Sequence, residues 1–226
     1  MWDAQFAAWA RVRRVIRYDR RGTGRSAPPG AEPYMHWEDL RGVLDQLGVE
    51  RTALVGMSQG GAVAIDFALT YPERVDALVI VGGFPSGNRF SDEFRDSFVR
   101  MQEVDDADAA KRMWLAHPLF TCGLANAATA DKLRTIIDEY SGYHFLYRDP
   151  ALRMKPPAVG RPGEIRAPTL VVVGEHDIPD MQRAADLLTQ GIAGARKVVI
   201  AGAGHTVNME RPAEFNRVVE EFLGIE

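Results

Sequence analysis

The chain has 226 residues, of which 46% are hydrophobic and 26% charged, and its formal net charge is −4. This composition excludes a disordered or membrane-spanning chain, and the weak acidic charge gives no reason to expect a nucleic-acid partner. A chain of this length can bury one sizeable core and still carry an insertion.

Cys122 is the only cysteine, which excludes an internal disulfide and a thiolate metal cluster within one chain. The start, Met1-Trp2-Asp3, lacks the basic residues and the apolar block of a signal peptide. We therefore predict a cytoplasmic protein with no membrane partner, and a secreted protein without disulfides is the alternative.

Five short apolar runs, rich in valine and isoleucine and bounded by turn residues, predict buried parallel strands. In chain order they are Val15–Tyr18, Thr52–Val55, Ala77–Val81, Thr169–Val173 and Lys197–Ile200. Because these runs lack polar alternation, helices should cover both faces of the sheet.

The arginines around the first run are expected to be a solvated rim, with an anion site as the alternative. They are Arg11, Arg13, Arg14, Arg17, Arg20, Arg21 and Arg25.

Helical patterns lie between the runs. His36–Leu47 repeats apolar residues at three and four positions, Ala62–Tyr71 is almost wholly apolar, and Pro212–Leu223 has proline in its first turn and glycine after its end. Strands alternating with helices predict the α/β class, with a mostly parallel central sheet flanked by helices. Residues 88–163 break this alternation and are predicted to form a helical cap, or lid. The core is then residues 1–87 and 164–226.

The sharpest motif is Gly56-Met57-Ser58-Gln59-Gly60, which follows a predicted strand and precedes a predicted helix. Glycine two residues either side of the serine permits a very tight turn that exposes the serine oxygen. The N-terminus of the next helix would favour a developing oxyanion there. We therefore predict Ser58 as a nucleophile, with the backbone N–H of Gln59 as one oxyanion donor. A purely structural glycine-rich turn is the alternative.

A serine hydroxyl needs a base, usually an oriented histidine. His205 follows the last strand on a loop of small residues and can reach over the carboxyl edge of the sheet. The other candidates are His36, His117, His144 and His176, which we expect to have structural, pocket-lining or solvent-facing positions.

The third group should be a carboxylate at the end of a different strand. Asp177 follows the fourth predicted strand and would fix the tautomer of His205 and stabilise its charged form. Asp180 and Glu175 compete for this position on the same loop.

The order Ser, Asp, His along the chain is that of α/β-hydrolases. With it occur Tyr18-Asp19-Arg20-Arg21-Gly22-Thr23-Gly24-Arg25-Ser26, Ala167-Pro168-Thr169-Leu170, and Gly204-His205 ahead of Met209-Glu210-Arg211-Pro212. On these motifs the chain resembles the α/β-hydrolase fold superfamily, especially its small esterases and enol-lactonase-like members. The resemblance covers nearly the whole chain outside residues 88–163, and it implies that those residues are a lid over the substrate pocket. Serine at position 58 argues against the relatives that use an aspartate nucleophile, the haloalkane dehalogenases and epoxide hydrolases.

Relative to that family, we expect an N-terminally truncated fold that lacks the first three of eight strands and the His-Gly loop with the second oxyanion donor. A fragment or a mis-assigned start is the expected explanation, and a minimal enzyme is the alternative. One absent strand would lie between Val15–Tyr18 and Thr52–Val55. These two strands should then pair differently or leave unpaired edges, which could promote a homodimer.

The predicted function is hydrolysis of a small carboxylic ester or lactone through an acyl-enzyme, with no cofactor and no metal. Met57 and the cap aromatics Trp114, Phe120 and Tyr143 are predicted to contact the substrate, although packing within the cap would explain many of its aromatic residues. The alternatives are a carbon–carbon bond hydrolase or perhydrolase of the same fold, and a non-catalytic ligand-binding or interaction protein that retains the triad.

Overall fold

Four parallel strands form one sheet in the computed structural model, which describes residues 1–225. They are β1 (Thr52–Met57), β2 (Val75–Val81), β3 (Thr169–Gly174) and β4 (Arg196–Ile200), and they lie in this order across the sheet. Every neighbouring pair is parallel. The α/β class and the parallel sheet are therefore confirmed, as are four of the five predicted strands.

Helices connect the strands and cover the sheet. In residues 1–225 the α-helices of the predicted core are α1 (Asp3–Trp9), α2 (His36–Gln46), α3 (Gln59–Thr70), α9 (Pro179–Gly191), α10 (Val207–Glu210) and α11 (Pro212–Leu223). Between β2 and β3 lie α4 (Asp92–Gln102), α5 (Ala107–Leu115), α6 (Thr121–Ala125), α7 (Ala127–Glu139) and α8 (Tyr143–Leu146). None of the helices in the described residues is long and apolar enough to span a membrane.

The apolar run of β2 is continuous because both faces of the sheet are buried there, whereas Val199 on the edge strand β4 is exposed. On β2, Leu78 and Ile80 pack into a cluster with α2, α3 and α9. Val79 and Val81, which point to the opposite face, pack into a second cluster with α1 and α11. All four side chains are fully buried. The period of two along the strand thus divides one apolar run between two cores.

The predicted strand Val15–Tyr18 is wrong, because this segment is not part of the sheet. Its side chains still alternate, since Val15 packs on the α1 and α11 side and Ile16 on the α2 and α3 side. A strand also requires a neighbour that exchanges backbone hydrogen bonds with it, and in residues 1–225 β1 pairs with β2 alone. The expectation of an unpaired edge therefore applies to β1, and the homodimer stays a prediction.

Residues 88–163 contain helices α4 to α8 and no strand of the sheet. Their division from the core as a separate cap stays a prediction, and "the cap" is used below for these residues. Two apolar clusters pack the helices of the cap together. The first contains Leu119, Phe120 and Leu133 and reaches Met181 on α9, and the second is built on Met101, Ala110 and Phe145. The first cluster joins the cap to the sheet side of the molecule.

A buried carboxyl group, Asp66 on α3, connects the core to the end of the cap. The Ser86 hydroxyl donates to Asp66 Oδ1 at 2.8 Å, and Ser86 Oγ accepts from the Ala158 N–H at 3.1 Å. Burial raises the pKa of Asp66 to about 6, although the bond from Ser86 and the charge of Arg161 oppose this shift. The neutral acid is therefore favoured by folding.

We expect Asp66→Asn to stabilise the protein near pH 8 and to change its stability little near pH 4. Because the pKa is higher in the folded state, folding binds protons between about pH 4 and pH 6, and stability falls as the pH rises through this window. Above it, the ionised group costs up to about 3 kcal/mol, which the amide avoids. Urea unfolding at both pH values measures the difference, with the exposed Asp138→Asn as the control. An Asp66→Asn variant that is less stable than the parent protein near pH 8 would contradict the expectation.

Candidate active site

Ser58 lies in the turn between β1 and α3, with φ 51° and ψ −119°. No other residue except glycine has a positive φ in residues 1–225. Such a backbone costs about 1–3 kcal/mol and persists only where its surroundings impose it. Here the Ser58 N–H donates to the Val81 carbonyl at 2.9 Å, and the Ser58 carbonyl accepts from Ala62 N–H at 3.2 Å. The turn is thus fixed to β2 on one side and to α3 on the other.

The glycine before Met57 is required by the close approach of strand and helix. A Cβ atom at Gly56 would overlap the Gly60 carbonyl and lie 2.8 Å from the Gly61 nitrogen. These contacts are backbone atoms, which cannot move aside cheaply. Glycine at position 56 of the motif therefore has a direct steric cause, whereas a Cβ atom at Gly60 would meet no atom within 4 Å.

We expect Ser58→Gly to be more stable than Ser58→Ala by about 1 kcal/mol, because only glycine adopts the backbone of this turn without strain. Both variants lack the hydroxyl, so their difference isolates the backbone. Thermal or urea unfolding of the two variants measures it. An alanine variant as stable as the glycine variant would show that the turn is not strained.

His205 and Asp177 form a buried pair. His205 is 3% exposed and Asp177 is 7% exposed. Asp177 Oδ2 lies 2.9 Å from His205 Nδ1, and Asp177 Oδ1 accepts from the Ile178 N–H at 2.8 Å. Because a carboxylate only accepts hydrogen bonds, Nδ1 carries the proton and Nε2 has a free lone pair. This is the tautomer that a general base requires.

Gly82, just after β2, is where the three predicted residues converge. A Cβ atom there would lie 3.0 Å from Asp177 Oδ2 and 3.0 Å from His205 Nδ1, and the residue before it, Val81, holds Ser58. Glycine at this position, with φ 49°, lets the pair lie directly on the strand end. The Ser58 hydroxyl forms no hydrogen bond with His205 in residues 1–225, a contact that is often long until substrate binds. Residues far apart in sequence thus meet at the carboxyl edge of the sheet.

The competing carboxylates on the same loop have other partners. Asp180 accepts from the Ser91 N–H at 2.7 Å and from its hydroxyl at 2.8 Å, which ties α9 to the start of α4. Glu175 is exposed and accepts from the Gly202 N–H at 2.8 Å. Only Asp177 of these three acidic residues bonds to His205.

Of the other histidines, His117 is buried and has hydrogen-bond partners at both ring nitrogens. It is buried in the cap, its Nδ1 accepts from the Leu119 N–H at 3.2 Å, and its Nε2 lies 3.2 Å from Ser97 Oγ. Burial, helped by the charge of His205, lowers the pKa of His117. It is therefore a neutral donor from Nε2 and is not free to accept a proton at Nδ1.

The remaining histidines lie elsewhere. His144, on α8, bonds through Nδ1 to the Tyr140 hydroxyl at 2.6 Å, and burial lowers its pKa. His176 is exposed beside Glu175. His36 starts α2, and burial and the charge of Arg20 lower its pKa to about 4. These positions agree with structural and solvent-facing placements.

Gln59 begins α3, and its N–H belongs to the first turn, where backbone donors have no acceptor within the helix. Its side chain accepts from the Arg20 guanidinium at 2.6 Å, and Arg20 also lies 3.3 Å from His36 Nε2. Burial lowers the pKa of Arg20, and Arg20 lines a cavity of about 380 Å³ between its segment and α2. Arg20 is therefore half-buried beside this cavity, and the choice between a solvated rim and an anion site for the arginines stays a prediction.

The predicted substrate-contacting residues occupy three places. Met57 ends β1 and is buried in the cluster with Val79 and Val81. Trp114 and Phe120 pack edge to face in the cap, with ring centroids 5.0 Å apart. Tyr143 begins α8 and stacks on Tyr147 at 5.3 Å. Their contact with substrate stays a prediction.

The sequence did not indicate a role for Glu210, which is buried against the loop that carries His205. Its two oxygens accept hydrogen bonds from Gly204 and Thr206, the neighbours of His205. A signal was present, because Glu210 follows His205 by five residues and belongs to the motif Met209-Glu210-Arg211-Pro212. Periodicity could not find it, because its partners are backbone N–H groups of an irregular loop.

Comparison with known proteins supports the fold described above. The family model for the alpha/beta hydrolase fold matches residues 1–212. The 2-hydroxy-6-oxononadienedioate/2-hydroxy-6-oxononatrienedioate hydrolase of Cupriavidus pinatubonensis is 30% identical over 93% of this chain and 76% of that relative. Carboxylesterase YbfK of Bacillus subtilis is 26% identical over 99% of this chain and 75% of that protein. The enol-lactonase from Burkholderia xenovorans LB400 superimposes with a TM-score of 0.77 at 25% identity, over 99% of this chain and 85% of that structure. The chain therefore belongs to the alpha/beta hydrolase fold family.

Proposed function

We propose that this hydrolase cleaves carboxylic esters or lactones through an acyl-enzyme on Ser58. The observation that carries the proposal is the buried His205–Asp177 pair, 2.9 Å apart, beside the only strained non-glycine turn of residues 1–225. A strained turn and a buried carboxylate both cost stability, and strained residues cluster at active sites.

In the proposed reaction, His205 Nε2 removes the proton of the Ser58 hydroxyl as the oxygen attacks the carbonyl carbon. The Gln59 N–H stabilises the oxyanion of the tetrahedral intermediate. The protonated His205, stabilised by Asp177, then donates its proton to the leaving alcohol. Water activated by His205 attacks the acyl-enzyme and releases the acid and free Ser58.

Carbon–carbon bond hydrolysis at the same site is the second candidate. The observation in its favour is the name of the Cupriavidus relative, a hydrolase of a dienedioate with a 6-oxo group. The carboxylesterase and the enol-lactonase support the ester or lactone proposal. The difference between these reactions lies in the leaving group, an alkoxide in one and a carbanion equivalent in the other.

The test is a substrate panel of p-nitrophenyl acetate, an enol-lactone and a 2-hydroxy-6-oxo-dienoate. The proposal predicts a burst of about one p-nitrophenolate per chain followed by steady turnover, which is typical of an acyl-enzyme. It also predicts that kcat/KM for the ester or lactone exceeds that for the dienoate. A preference for the dienoate would instead support carbon–carbon hydrolysis, and a folded protein that turns over none of the three would support a non-catalytic function.

A further inference from the structure

Glu210 ends the short helix α10 and folds back on the loop that carries His205. It is 6% exposed, and its Oε2 accepts from the Gly204 N–H at 2.6 Å. Oε1 accepts from the Thr206 N–H at 3.0 Å and from the Thr206 hydroxyl at 2.7 Å. The side chain therefore holds the backbone on both sides of His205. Hydrogen bonds to a charged acceptor are about twice as strong as neutral ones.

The three donors also explain how a carboxylate can be buried at this position. In residues 1–225 Glu210 forms no ion pair with lysine, arginine or histidine. A buried charge without such compensation is costly, and here it is compensated by two backbone N–H groups and a hydroxyl. Since both oxygens only accept, the contacts match the ionised form.

The same loop is closed from the cap side. A Cβ atom at Gly123 on α6 would lie 2.9 Å from Thr206 Oγ1, so the helix backbone rests directly on this residue. The Asn126 amide donates to the Glu210 carbonyl at 3.3 Å, and the Thr129 hydroxyl donates to the Met209 carbonyl at 3.2 Å. Water is thereby kept from the donors that Glu210 binds, which strengthens those bonds.

We propose that Glu210 is a positioning residue that fixes the imidazole of His205 toward Ser58. Asp177 sets the ring from its Nδ1 side, and Glu210 sets the backbone from which the ring projects. The rotation of the His205 ring and the position of its backbone are thus each fixed by a separate carboxylate. The proposal rests on the proposed function of His205 as the base.

The test compares Glu210→Gln with Thr206→Val and with the exposed Glu214→Gln as a matched control. A glutamine can accept with only one end, so its NH₂ group must face one of the two backbone donors. Because a shift of about 1 Å in a catalytic group costs up to about 10²-fold, we expect Glu210→Gln to lower kcat by about 10- to 100-fold with KM nearly unchanged. Thr206→Val, which removes one of the three bonds, should lower kcat by about 3-fold. Glu214→Gln should change neither constant.

Proton NMR gives a second readout that does not depend on turnover. The His205 Nδ1 proton, shared with Asp177, should give a downfield resonance in the parent protein that Asp177→Asn removes. We expect this resonance to broaden or disappear in Glu210→Gln, because a loosened loop exposes it to exchange. A folded Glu210→Gln variant with the resonance and kcat unchanged would overturn the proposal, as would a loss of thermal stability alone. If the parent protein shows the resonance but no turnover, the proposed function fails while the NMR comparison still decides the positioning of His205.

Discussion

Replacing Ser58 with alanine is expected to lower the turnover of p-nitrophenyl acetate by at least about 10³-fold. The hydroxyl is the only group removed, and without it no acyl-enzyme can form. Alanine accepts the same backbone as serine at about the same cost, so the turn between β1 and α3 should persist. The variant therefore separates chemistry from folding.

The measurement is initial-rate turnover with parent and variant at matched concentrations, with thermal unfolding to confirm that both are folded. Thr135→Ala, which removes an exposed hydroxyl on α7, is the control and should keep full activity. Unchanged turnover in Ser58→Ala would refute the assignment of the nucleophile.

The second large effect is expected for Asp177→Asn, which should lower kcat by about 10³- to 10⁴-fold. The amide oxygen can still accept from the Ile178 N–H, as Oδ1 does now at 2.8 Å. The NH₂ group must then face His205 Nδ1, where the carboxylate now accepts at 2.9 Å. An NH₂ donor there forces Nδ1 to accept, so the proton moves to Nε2 and the imidazole can no longer take the proton of Ser58.

Glu175→Gln is the matched control for this variant. It is an isosteric change on the same loop, at an exposed carboxylate whose partner is the Gly202 N–H. We expect less than about 3-fold loss of kcat from it, in line with a surface hydrogen bond. Equal losses from Asp177→Asn and Glu175→Gln would mean that the loop, rather than the carboxylate of Asp177, determines the activity.

Much of the fold follows from the sequence because its central strands, β2 and β3, are buried on both faces. Runs such as Ala77–Val81, short, rich in valine and isoleucine and bounded by turns, are typical of strands buried on both faces of a sheet. Val15–Tyr18 also contains valine and isoleucine, next to Arg17, but it is not a strand, because strand formation depends on a neighbour as well as on the residues themselves. Local pattern contains no information about that neighbour.

Some residues of the candidate site could likewise be predicted from the sequence, and others could not. Ser58, Asp177 and His205 could be predicted to meet, because each follows a parallel strand and such strand ends share one edge of the sheet. The contacts of Arg20 and Glu210 could not, because a charged residue is ordinarily solvated. Glu210 is buried against the backbone beside His205, and the half-buried Arg20 bonds to Gln59, and no periodicity predicts these contacts.

The most direct measurement of the central claim is the reaction of the folded protein with a fluorophosphonate, followed by intact-protein and peptide mass spectrometry. Such a probe reacts with a serine that is activated by a base and supported by an oxyanion donor. We predict one adduct per chain, located on Ser58, that is absent from Ser58→Ala and formed much more slowly in Asp177→Asn. Folded protein that takes up no label, or label on another residue, would contradict the assignment of Ser58 as an activated nucleophile.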